Sequence, residues 1–158
     1  MLNGPKPGIS RESEANLKDF VPPAGAFAYP ITVQPADIDY LGHANNVVWV
    51  RWINEAAIAH SEAVGLGANA YFDLKVLWVV RRHDIEYLFS ALEGEALHAT
   101  TWVAEMKAAT SVRRTLITRA ADGKVLSRAT TIWALIDAVT GRPRRVPQDI
   151  AAKYAPSE

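Results

Sequence analysis

Asn46-Val47-Val48-Trp49-Val50-Arg51-Trp52-Ile53-Asn54-Glu55-Ala56-Ala57-Ile58-Ala59-His60-Ser61-Glu62-Ala63-Val64-Gly65 is the stretch on which the fold turns. Val47, Val50, Ile53, Ala57 and Val64 recur at helical spacing, which predicts a helix over residues 46–64. Asn45 stands before it as an N-cap, its side-chain oxygen able to accept from the free amides of the first turn. Gly65 is placed to stop it. Val48, Trp49, Trp52, Ala56, Ile58 and Ala59 spread apolar character beyond one stripe, so the helix is expected to be wrapped on most sides.

The rest of the chain supplies the wrapping. Strands are predicted over residues 76–89, 96–106, 112–121 and 125–137, with turns at Glu93-Gly94-Glu95 and Asp122-Gly123. The second turn joins the clearest hairpin in the sequence. Upstream, Tyr29-Pro30-Ile31-Thr32-Val33 reads as a short strand. The tail from Thr140 is a Pro- and Arg-rich loop with a last turn at 150–154. Together these give an α+β class, an antiparallel sheet wrapped around one long central helix. Residues 1–26, broken by Pro5, Pro7, Pro22, Pro23, Gly4, Gly8 and Gly25, read as an N-terminal arm holding a short polar helix at 10–20. Residues 27–158 form the domain. The long strand at 76–89 is expected at an open sheet edge, which predicts a homodimer or tetramer.

Composition narrows the function classes. At 158 residues one domain is the expectation. Seventeen basic residues balance seventeen acidic ones, so no overall field draws the chain to nucleic acid or an anionic membrane. The lack of cysteine removes disulfides, thiolate metal sites and a cysteine nucleophile, and suits a reducing compartment. No apolar run has the length of a signal peptide core or a membrane span, so a soluble cytoplasmic protein is expected. His60, His83 and His98 lie in separate elements without metal-ligand spacing, and no metal or cofactor is predicted. There is neither a Gly-x-Ser-x-Gly elbow nor a phosphate loop. The five tryptophans are not interleaved with basic residues, which favours core and interface over base stacking.

The densest polar cluster is Ala36-Asp37-Ile38-Asp39-Tyr40-Leu41-Gly42-His43-Ala44-Asn45-Asn46. A carboxylate just before a helix N-terminus sits near free amides and the positive end of the helix dipole, where a developing oxyanion is stabilised. The same residues also serve loops and caps for conformational reasons alone. Both readings stand at this point.

The run Asp37-Ile38-Asp39-Tyr40-Leu41-Gly42-His43-Ala44-Asn45-Asn46, continued by Val47-Val48-Trp49-Val50-Arg51-Trp52, resembles the signature of the 4-hydroxybenzoyl-CoA thioesterase family. Arg82-His83-Asp84-Ile85-Glu86-Tyr87, the strand order and the Asp137 to Pro143 ending are similar too, so the resemblance covers about residues 29–148. It implies the hotdog fold and hydrolysis of an acyl-CoA. It implies Asp39 as nucleophile or general base, with Asp37 the lesser candidate. The amide at about Asn46 would polarise the thioester carbonyl, and His43 and Asn45 would orient substrate or water. Ala44 replaces the larger Val or Ile of many relatives, which implies a wider acyl pocket. Glu55 is a further carboxylate, with Arg51 one turn away as an ordinary partner.

Arg81 and Arg82, Arg113 and Arg114, and Arg142, Arg144 and Arg145 are local basic clusters suited to the phosphates of coenzyme A. Against that, Asp84 and Glu86 offer ordinary partners. Two other functions remain open. A hotdog hydratase or dehydratase would place Asp and His in an Asp-x-Asn-Pro-x-His pattern, which is not the spacing here. A non-catalytic acyl-CoA-binding protein would keep the fold and pocket, since fold alone does not carry function.

Overall fold

The computed structural model describes residues 18–155. Helix α1, Asn46–Ala63, lies where the periodicity puts it. The Asn45 side chain accepts from the Val47 amide at 3.0 Å, and Gly65 follows the helix at φ +80°. The buried face overlaps the expected one only at Ile53 and Ala57. Trp49, Trp52, Ile53, Ala56 and Ala57 point into the core, whereas Val47 is 73% exposed. Two tryptophans bury more apolar area than two valines, and that difference rotates the helix toward them.

Five strands make one antiparallel sheet: β1 (Phe27–Thr32), β2 (Val76–Tyr87), β3 (Ala96–Met106), β4 (Thr110–Arg119) and β5 (Val125–Asp137). The order is β1-β3-β4-β5-β2, so β2 is an edge strand, as the sequence leads one to expect. β4 and β5 join through Asp122 and Gly123; Asp122 caps the Lys124 amide and Gly123 takes φ +69°. β1 begins two residues earlier than predicted. Phe27, its first residue, pairs with Thr101 and stacks on His60 of α1.

The core divides along α1. Near its N-terminus Trp49, Trp52, Ile53 and Ala56 pack with Ile31, Val33, Leu97, Ile117 and Leu126. Beyond its C-terminus a second cluster joins Leu66, Tyr71, Val76, Leu135, Ile150 and Tyr154. Two short helices build that second cluster: α2 (Ala68–Leu74) and α3 (Gln148–Lys153). Sequence periodicity does not announce α2, because the seven residues after Gly67 carry too few apolar repeats. α3 starts two residues before the predicted final turn. Of the predicted helix at 10–20, Lys18–Phe20 is a single 3-10 turn and the rest lies outside the described residues. Trp49, Trp52 and Trp102 are buried, in keeping with a core role.

Candidate active site

The polar loop closes into a compact hairpin before α1. Ile38 bridges to Ala44, the Asp39 amide donates to the His43 carbonyl at 2.9 Å, and the Gly42 amide donates to the Asp39 carbonyl at 3.0 Å. Gly42 adopts φ +79°, a conformation that a side chain makes costly. The Asn45 amide on the Asp37 carbonyl closes the hairpin at its base, and the Ala44 amide on the Ala91 carbonyl holds it to the body.

The two aspartates are thereby sorted. Asp37 is buried at 3% exposure; its carboxylate accepts from Arg51 at 2.7 Å and from the Gln34 amide at 2.9 Å. It holds the loop on the helix. Asp39 is half-buried, and its Oδ1 accepts from the Leu41 amide at 2.8 Å. Among the described residues it has no ion-pair partner. Glu55 pairs with Arg51 at 3.3 Å, the surface contact their spacing offers.

At the helix start, the Val47 amide is capped by Asn45 Oδ1 and the Val48 amide by the Asn45 carbonyl. The Asn46 amide is the remaining donor of this turn, at the positive end of the helix dipole. Tyr87, at the end of β2, donates to the Asn46 carbonyl at 3.2 Å and so ties the edge strand to the helix terminus. Burial raises the Tyr87 phenol above its ordinary pKa, so it is a donor at neutral pH. Sequence reading picks out Arg51 only as the partner of Glu55 and gives Tyr87 no role; the Arg51–Asp37 and Tyr87–Asn46 contacts span 14 and 41 residues. The His43 side chain is half-buried and Asn45 is exposed.

The arginines are not gathered into one patch. Arg113 and Arg114 are neighbours in β4 and so point to opposite faces of the sheet. Arg113 is buried and donates to His60 Nδ1 at 2.9 Å. Arg114 lies over the Phe20 ring and pairs with Asp19 at 3.6 Å. Arg82 pairs with Asp84 at 3.5 Å, while Glu86 pairs with Arg128. Arg81 is exposed, at the bulge between Val80 and Arg82.

The family model described as the Thioesterase-like superfamily matches residues 33–154, from the end of β1 to the last helix. The chain belongs to that superfamily. It is 23% identical over 153 residues to a chloroplastic acyl-(acyl-carrier-protein) hydrolase of Cuphea viscosissima, covering 93% of this chain and 37% of that one. It is 26% identical to a chloroplastic palmitoyl-acyl carrier protein thioesterase of Gossypium hirsutum, covering 66% of this chain and 27% of the other. The chain thus spans well under half the length of these curated relatives. Among solved structures, a putative oleoyl thioesterase from Lactobacillus plantarum superposes with a TM-score of 0.79 at 21% identity, covering 83% and 51% of the two chains. A 1,4-dihydroxy-2-naphthoyl-CoA thioesterase from Synechocystis gives 0.76 at 19%, covering 82% and 96%. These likenesses establish the hotdog fold. Among the described residues no helix is long and apolar enough to cross a membrane, and no group of three or more His, Cys, Asp or Glu is arranged to hold a metal ion.

Proposed function

We propose that this superfamily member is an acyl-CoA thioesterase of the 4-hydroxybenzoyl-CoA thioesterase type, working through Asp39 and the N-terminus of α1. The observation that carries the reading is the contrast between the two loop carboxylates: Asp37 is buried and committed to Arg51, whereas Asp39 is accessible and, among the described residues, free of ion pairs. A carboxylate without an ion-pair partner and a free amide at the helix N-terminus are the two groups thioester hydrolysis requires. Asp39 attacks the thioester carbonyl, or takes a proton from the attacking water. The Asn46 amide receives the charge that develops on the carbonyl oxygen. If Asp39 attacks, breaking the carbon–sulfur bond expels coenzyme A and leaves an acyl–aspartyl anhydride, which water then hydrolyses to the free acid. If water attacks, breaking that bond gives the free acid directly, and the proton taken by Asp39 passes to the coenzyme A sulfur. His43 and Asn45 orient the substrate or the water, and exposed arginines such as Arg81 meet the phosphates of coenzyme A.

The catalytic unit is residues 27–158, with 1–26 as an arm, and it works as a homodimer or tetramer. The free edge of β2 and the exposure of Tyr40, Leu41 and Val47 around the helix start support pairing there. The names of the curated relatives favour a second carrier, the acyl carrier protein. The test is a thiol-release assay on a panel of acyl-CoA esters of varied chain and ring, run beside the same acyl groups on acyl carrier protein. Release from the CoA esters supports the proposal. Release from the carrier protein alone replaces the carrier, and no release from either overturns the reading as an enzyme.

A further inference from the structure

Alongside the C-terminal half of α1 lies a cavity of about 460 Å³, within the size range of small-molecule sites. Its walls are largely apolar, with Leu66, Phe72, Trp78, Val103, Met106 and Trp133 among them. It is not continuous with the helix N-terminus. Ala57 and Glu62, which line it, stand about 16 and 24 Å along the helix from Asn46 at 1.5 Å per residue.

One wall is a cation. The Arg113 side chain lines the cavity yet is only 5% exposed. Burial pulls its pKa down to about 10, so it stays charged at neutral pH. Among the described residues no carboxylate forms an ion pair with it. Glu62, at the exposed side of the cavity, is not its partner. Its hydrogen bonds go to neutral acceptors, His60 Nδ1 at 2.9 Å and Thr101 Oγ1 at 3.2 Å, and both leave from Nη1. A guanidinium has five N–H donors, so Nη1 accounts for only two of them.

A buried cation without a counter-charge is costly. The surrounding polar groups do not supply that charge. Trp78 Nε1 donates to Tyr71 at 3.0 Å, Tyr71 meets Tyr154 at 2.6 Å, and Tyr154 meets Ser61 at 2.7 Å. These hydroxyls satisfy one another.

We propose that this cavity binds an apolar monocarboxylate, its tail against the aromatic and aliphatic walls and its carboxylate on the Arg113 guanidinium. The planar fork of arginine matches a carboxylate, and apolar walls suit an aliphatic or aromatic body. A phosphate dianion would need more positive charge than the single arginine on these walls provides. The site is independent of the thioester chemistry at Asp39.

The test is titration of the full chain with octanoate and with octanamide, which has the same tail and no charge. Binding is read by calorimetry and by the fluorescence of the protein's tryptophans, of which Trp78 and Trp133 line the cavity. Octanoate is expected to bind saturably, one per chain, and at least about tenfold more tightly than octanamide. Arg113→Met, which keeps the side-chain bulk, is expected to abolish that preference. Ala68→Trp, at an exposed position on the cavity rim, is expected to weaken both ligands, and it serves if the Arg113 variant does not fold. Equal affinity for the two ligands, absence of saturable octanoate binding, or binding unaffected by Ala68→Trp would overturn the proposal.

Discussion

Asp37 and Asp39 are two residues apart, and the structure gives them opposite surroundings. Asp39→Asn keeps size and most hydrogen bonding but removes the charge that acts as base or nucleophile. Turnover is expected to fall by at least about 10²-fold, the low end for general-base catalysis, with the thermal midpoint near the parent's. Near-normal thiol release by this variant would return the role to Asp37 or Glu55. His60 offers a second residue-level test. Arg113 can only donate, so His60 Nδ1 must accept and the imidazole must be neutral. Burial, with the Arg113 charge second, pulls its pKa from 6.5 to about 4. The unfolded chain then binds more protons between these values, and stability falls as pH drops from about 6.5 to 4. Burial lowers His83 in the same direction. His60→Gln keeps an acceptor and does not titrate, so thermal midpoints measured across this range should show a flatter slope than the parent's.

At the scale of elements, the loop before α1 depends on Asp37. Its carboxylate joins Gln34, at the loop's start, to Arg51, on the second turn of the helix. Arg51 is about half exposed, so solvent weakens the pair, and the buried carboxylate's hydrogen bonds carry most of the effect. Asp37→Asn is expected to cost about 1–3 kcal/mol in urea unfolding. Its effect on turnover should be much smaller than that of Asp39→Asn. A stability equal to the parent's would show that the loop is held by its backbone bonds alone. Legibility follows the same division: Asn45 was readable as a cap because its partner is two residues away. Tyr87 was not, because its contact with Asn46 spans 41 residues.

For the whole molecule, the exposed edge of β2 and the uncovered Tyr40, Leu41 and Val47 lead to the expectation of a dimer or tetramer at micromolar concentration, checked by light scattering on the eluting peak. A monomeric mass with full activity would remove it. If coenzyme A is met by exposed arginines, rising ionic strength should raise KM more than it lowers kcat, since screening acts on solvent-exposed charges. Arg113 should contribute nothing to that salt dependence, because it is buried.

What the sequence determined by itself is local or periodic. α1 and its cap, four long strands, the Asp122-Gly123 hairpin and the motif loop all follow from turn chemistry and from repeats of 3.6 or 2, which neighbouring residues carry among themselves. Only the tertiary structure decided which face of α1 is buried, which loop carboxylate is committed, and where Arg113 points. Each of these depends on competition among distant groups for the same interior: tryptophans against valines, Arg51 for Asp37, and His60 with Thr101 for a guanidinium that strand alternation turns inward.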